Sequence, residues 1–215
     1  MFRRVTLFLL WLGFILYAFL LAPPDQPDTL ELITKLSTGQ WGGINPLVVS
    51  LFNLMGIYPL IYSAVLLIDG RGQKIPAWPF VLGSFAVGAF AILPYLALRQ
   101  ANPVFSGEKS GLIKLLDSRW FGLSLLLGAL ALLVYGFSQG NGADFIAQWQ
   151  SSRFIHVMSL DFYFLSLVFP LLLKDDMSRR GMKNPSLFWV VSLLPLLGPA
   201  WYLFLRPPLI PNPLR

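Results

Sequence analysis

The sequence predicts an all-α integral membrane protein: a bundle of six transmembrane helices forming one transmembrane domain over residues 1–215. Composition is the first reason. Hydrophobic residues make up 56% of the chain and charged residues 12%, half of the roughly 25% charged residues usual in soluble domains. So apolar a chain cannot cover a water-soluble globule with polar surface. The second reason is six apolar segments near or above the ~18 residues needed to cross hydrocarbon. They are 5–22, 46–68, 79–98, 120–137, 154–173 and 186–205. The third is that five of these six contain no Asp, Glu, Lys, Arg or His. A backbone in lipid must satisfy its own hydrogen bonds, so each segment is expected to be helical.

Taken in order, the first segment, in MFRRVTLFLLWLGFILYAFLLAPP, exceeds the ~7–15 apolar residues of a secretory signal. Pro23 directly after Ala22 also disfavours cleavage there, so a retained helix is expected. In the following PDTLELITKL, Asp28 is placed to cap a helix with Glu31 three positions on, and Leu30, Ile33 and Leu36 share an apolar side. ADFIAQWQ, between the fourth and fifth segments, repeats that amphipathic pattern through Phe145, Ile146 and Trp149. Both stretches suit the headgroup layer. DGRGQKIP and KDDMSRRGMKNP are compact basic turns, each closed by a proline that starts the next helix.

These elements suggest an internal repeat over 1–100 and 118–208. Asn53 lies in a span with Pro59, followed by a turn at Asp69, Lys74 and Pro76 and a span ending LPYLALR. Asp161 lies in a span with Pro170, followed by Asp175, Asp176, Lys183 and Pro185 and a span ending GPAWYLFLR. Three crossings per half would invert the second half relative to the first. Six crossings divide the sixteen Lys and Arg nine to seven, which orients little under the positive-inside rule. A re-entrant 79–98 would make the division twelve to four, but twenty uncharged residues argue for a crossing.

Among candidate functional residues Asp161 stands first, because an ionised carboxylate near the bilayer centre costs ~3 kcal/mol or more and turns toward protein or a polar cavity. It would bind a proton or cation, hold helices together, or sit near the headgroups at a helix start. Asn53 occupies the matching repeat position and is expected to face Asp161 at the pseudo-symmetry axis. His156, the sole histidine, is read as an interfacial side chain rather than a pigment or haem ligand. Asp175, Asp176, Arg179 and Arg180 form a self-neutralising turn and a candidate docking surface. Ser84 with Gly88, and Ser124 with Gly128, have the spacing of close helix packing, and the prolines inside spans are expected to bend them. No cysteine, metal-ligand cluster, phosphate loop or nucleophile motif is present, so no catalytic residue, no metal and no enzymatic activity are assigned, and the cofactor is unknown. The net charge of +6 is scattered over short loops, which does not suggest a nucleic-acid partner.

SLDFYFLSLVFPLLLKDD, MSRRGMK and GPAWYLFLRPP, between residues 156 and 208, resemble a group of uncharacterised small multi-span membrane proteins of cyanobacteria and plastids. The resemblance implies a thylakoid, plasma or plastid membrane. The function expected is that of a non-enzymatic membrane-complex partner or assembly factor associated with other membrane proteins, pigment or lipid. The alternative is a small proton- or cation-coupled transporter of inverted repeats using Asp161.

Overall fold

The computed structural model describes residues 2–105 and 108–209, and among these every regular element is a helix. α1 (Phe2–Leu16) runs on through a π-helical turn at Tyr17–Leu21 and is followed by the short α2 (Thr29–Thr38). α3 (Pro46–Asp69) starts where Asn45 Oδ1 accepts from the Leu47 N–H at 3.0 Å and Pro46 occupies the first turn. α4 (Trp78–Val87), α5 (Ala89–Leu98) and α6 (Gly111–Leu116) complete the first part. α7 (Arg119–Gln139), capped by Ser118, leads to α8 (Gly142–Ser151), capped by Asn141. α9 (Arg153–Val168) passes into α10 (Pro170–Arg179) at Phe169, where Pro170 supplies no N–H to continue the ladder. α11 (Pro185–Leu193) and α12 (Leu197–Leu205) finish the described chain.

Among the described residues four helices are long and apolar enough to cross a membrane: Phe2–Leu21, Pro46–Asp69, Arg119–Gln139 and Arg153–Arg179. Their outward side chains include Phe19, Leu127, Val134 and Leu167, all exposed, so an apolar surface is left for lipid. α3 forms the centre of the bundle, with Tyr58, Ile61, Tyr62 and Val65 fully buried against Leu93 and Leu96 of α5 and Phe169 and Leu172 at the α9–α10 junction. Glycines permit the closest approaches. A Cβ at Gly122 of α7 would overlap the backbone of Leu203 and Phe204, and one at Gly136 would press on Ser50.

The remaining two apolar segments do not form single helices. 79–98 is divided at Gly88 (φ 50°) and 186–205 at Leu194–Leu196, where Leu196 has φ 59°. A ten-residue helix rises about 15 Å, half of a ~30 Å hydrocarbon core. Each pair returns to its starting end. Arg99, just past α5, donates through Nε to Asp69 Oδ2 at 2.8 Å, and Asp69 is the last residue of α3. Arg206, just past α12, donates through Nη1 to Asp176 Oδ2 at 3.1 Å, and Asp176 lies in α10. The start of α1 lies at the same end, since Arg3 Nη2 donates to the Arg99 carbonyl at 2.8 Å. Trp11 Nε1 meets the Phe90 carbonyl at 2.9 Å, so α1 and α5 run antiparallel. The opposite end carries α2 and α8, tied by Asn45 Nδ2 to the Asn141 carbonyl at 2.8 Å and by Gln26 Nε2 to the Ser151 carbonyl at 2.7 Å.

Two expectations are not confirmed. Among the described residues four helices, not six, have membrane length, and two segments double back. The inverted arrangement is not seen either, because the ends of α3 and α10 and both hairpin bases meet at one end of the bundle. Uncharged sequence is compatible with a crossing and with a buried hairpin, so hydropathy could not separate them. α2 forms where the pattern placed it, but Asp28 makes no side-chain cap; Asp25 Oδ1 accepts from Thr29 Oγ1 at 3.0 Å instead.

Candidate functional site

A helix that begins inside an apolar bundle leaves its first N–H groups without partners. At the tip of the first hairpin the need is met from another helix. Asp161 of α9 accepts the Ala89 N–H through Oδ1 at 2.7 Å. The carboxylate thus caps α5 in trans, with its charge at the positive end of the helix dipole. Gly88 is required twice: its φ of 50° disfavours a side chain, and a Cβ there would overlap the Asp161 carboxylate. Asp161 is only 6% exposed.

Asp161 Oδ2 accepts no hydrogen bond among the described residues. The residue borders a cavity of about 680 Å³ between α1, α3, α9 and the hairpin tip. Phe52, Met55, Phe85 and Phe90 make its walls mainly apolar, while Asp25, Thr29 and Arg153 belong to the end carrying α2 and α8. Arg153 is held by its Nε bond to the Pro23 carbonyl at 3.0 Å. A carboxylate with an unused oxygen in an apolar cavity can receive a hydrogen-bond donor or a cation.

A second polar region closes the other end. Asp69 receives Tyr95 Oη at 2.9 Å and the Arg99 fork at 2.8 and 2.6 Å, and also pairs with Arg179. Asp176 receives Tyr202 Oη at 2.7 Å, Arg180 Nε at 2.9 Å and Arg206 at 3.1 Å. Asp175 pairs with Arg99, Arg179 links the two sets by facing both Asp69 and Asp176, and Arg180 reaches Asp117 at 2.6 Å. Burial would raise the Asp117 carboxyl, but the Arg180 guanidinium and the Lys109 ammonium overcome this and hold it below the usual carboxylate range. Asp176 Oδ1 and Arg179 Nη1 stand 3.6 Å apart and neither has a hydrogen bond among the described residues.

The predicted residues are therefore distributed rather than gathered. Asn53 does not meet Asp161; its Nδ2 turns back to the Val49 carbonyl of its own helix at 2.8 Å, satisfying a buried amide locally. His156 is buried within protein, 5% exposed, close to the start of α9 and to α8. Its Nε2 lies 2.8 Å from Tyr17 Oη and its Nδ1 3.0 Å from the Trp149 carbonyl, so both ring nitrogens have partners. The proposed docking turn is corrected as well. Asp176, Arg179 and Arg180 are all buried, and Asp175 is joined to Arg99, because two returning hairpins cover them. Within the turn Asp176 keeps the expected self-neutralisation, paired with Arg180 at 2.9 Å and with Arg179 at 3.6 Å. Sequence reasoning missed Tyr95, Arg99, Tyr202 and Arg206 as anchors. Their signal was present, since the Asp-to-Tyr and Asp-to-Arg separations are 26 and 30 residues in both sets.

In comparisons with protein-family models, curated proteins and solved structures, none matches the chain.

Proposed function

We propose that the protein is a non-enzymatic, four-span membrane protein that holds a lipophilic ligand with its cationic or hydrogen-bond-donating head against Asp161. The observation that carries this reading is the capping geometry: one carboxylate oxygen is committed to Ala89 and the other is left beside a cavity of about 680 Å³. That volume falls in the ~300–1,000 Å³ range of small-molecule sites and exceeds what a proton or bare cation needs. Apolar walls favour a lipid-like body, and the few polar groups, Asp161 at the hairpin tip with Asp25 and Arg153 toward the far end, favour a small polar head.

Charge supports an orientation. With both hairpins re-entrant, thirteen of the fifteen Lys and Arg among the described residues belong to the end holding Asp69 and Asp176, leaving Lys35 and Arg153 at the other. The positive-inside rule places the basic end toward the cytoplasm or its organellar equivalent, and the cavity toward the opposite leaflet. The matched order of long helix, amphipathic helix, long helix and hairpin supports two parallel halves. A photosynthetic or plastid setting rests on the C-terminal resemblance, and a role as partner in a larger complex on the packing surfaces and the absence of a catalytic motif in the sequence.

Cation-coupled transport is a second reading, favoured by broken helices beside an intramembrane acid. The buried ion pairs at the base close the far end, which favours holding over passage. Mass spectrometry of the protein extracted in mild detergent tests the proposal. A lipophile bearing an amine or hydroxyl is expected with the wild type and is expected to be lost from Asp161→Asn. Its absence from the wild type, or equal retention by the variant, contradicts holding. Cation flux in proteoliposomes that Asp161→Asn abolishes supports the transport reading instead.

A further inference from the structure

At the basic end, away from the Asp161 cavity, a pocket of about 530 Å³ lies between the start of α7, the end of α12 and the loop before α7. Four of its lining residues are cations, Lys109, Lys114, Arg119 and Arg206, against one acid, Asp117. That acid is already occupied. Its Oδ1 accepts from Arg180 at 2.6 Å, and its Oδ2 accepts from Lys109 at 2.7 Å and the Leu209 N–H at 3.0 Å. Arg206, 4% exposed, pairs with Asp176 but keeps Nε without an acceptor among the described residues. Lys114 and Arg119 have no acidic partner among the described residues. Arg119 is not free to wander, because its guanidinium lies 5.8 Å from the Trp120 ring centre and 5.5 Å from that of Phe204.

We propose that this pocket binds the phosphate of an anionic glycerophospholipid, with Lys114 and Arg119 as the principal ligands. The surplus cations supply the charge, and the guanidinium offers paired donors suited to phosphate oxygens. The neighbouring surface identifies the rest of the molecule. Trp120 is 68% exposed and the adjoining Phe204 and Leu205 are apolar, which places the pocket at a membrane–water interface where acyl chains can descend beside the rings. Basic pockets of this kind between helices on the cytoplasmic face suit acidic headgroups. Free phosphate shares the headgroup chemistry but makes no use of the apolar rim.

The full chain is reconstituted in nanodiscs of phosphatidylcholine with a minor share of phosphatidylglycerol, released gently, and its retained lipid identified by native mass spectrometry. Selective retention of phosphatidylglycerol is expected, falling about thirtyfold in the doubly substituted Lys114→Gln, Arg119→Gln protein, since each surface cation contributes about fivefold. Both side chains are exposed, so the variant is expected to unfold at the wild-type temperature. Competition distinguishes the source. Retention unaffected by glycerol 3-phosphate or inorganic phosphate supports the lipid, whereas displacement by inorganic phosphate together with no lipid preference overturns it in favour of a soluble phosphate. Equal retention of both lipids by the wild type, or an unchanged preference in the variant, also overturns the proposal.

Discussion

The two hairpins share a base and differ at the tip. At the base, each has an aspartate near the end of a long helix, with a tyrosine 26 residues later and an arginine 30 residues later both bonded to it. At the tip, the first hairpin turns at a glycine and has its second helix capped by the carboxylate of Asp161. The second turns at Leu196, with no side-chain cap, and packs closely enough that a Cβ at Gly198 would overlap the Val191 carbonyl. Only the first tip borders the 680 Å³ cavity. A common base with unlike tips separates what holds the fold from what is available for binding.

The base interactions carry the largest expected effects, and they test whether the two halves are equivalent. Removing one member of a buried ion network strands its partners and costs about 3–5 kcal/mol. Asp69→Asn and Asp176→Asn are each expected to fall in that range when thermal unfolding is followed in detergent. A strong effect from one and none from the other would end the equivalence.

The tips are expected to respond unequally. Gly88→Ala forces a side chain onto Asp161 at a positive φ, a strain of order 1–3 kcal/mol. Pro195→Ala at the second tip, where the side chain is exposed, is expected to change stability by less than about 1 kcal/mol. Similar losses at both tips would show that the difference between them is cosmetic.

How much of this was legible beforehand follows the same division. The helical class and the four long apolar helices were readable because hydrophobic length records membrane thickness directly. The hairpins were not, because a twenty-residue uncharged run satisfies a crossing and a buried turn equally. What distinguishes them lies at their ends, in Tyr95 and Arg99 reaching back to Asp69 and in the basic residues that follow. The twelve-to-four charge division for a re-entrant 79–98 pointed that way, and treating 186–205 alike sharpens it to thirteen to two among the described residues. Asp161 is turned toward protein, and its partner is a backbone N–H of a broken helix rather than the expected Asn53. No sequence pattern specifies a cap supplied from 72 residues away.

Smaller effects refine the comparison further. Asp161→Asn keeps an oxygen able to accept from Ala89, so its stability loss is expected to stay near the ~1 kcal/mol typical of a cap, well short of the base substitutions. A loss as large as theirs would make Asp161 a structural anchor of the same kind. Acid sensitivity at the base gives the smallest signal. Asp117 has a folded-state pKa below its unfolded value, so its contribution is complete above the ordinary carboxylate range near pH ~4 and disappears as the pH falls through the depressed value. Asp117→Asn is expected to flatten the stability profile below that range and leave its slope near neutrality unchanged.

The doubling back of the first hairpin is open to direct measurement because the chain has no native cysteine. Single cysteines at Lys74 and Gln100 flank it, one at Lys183 marks the same end before the second hairpin, and one at Leu30 marks the opposite end. In sealed oriented vesicles, an impermeant thiol reagent is expected to reach Lys74→Cys, Gln100→Cys and Lys183→Cys from one side and Leu30→Cys from the other. Labelling of Lys74→Cys and Gln100→Cys from opposite sides would contradict the account.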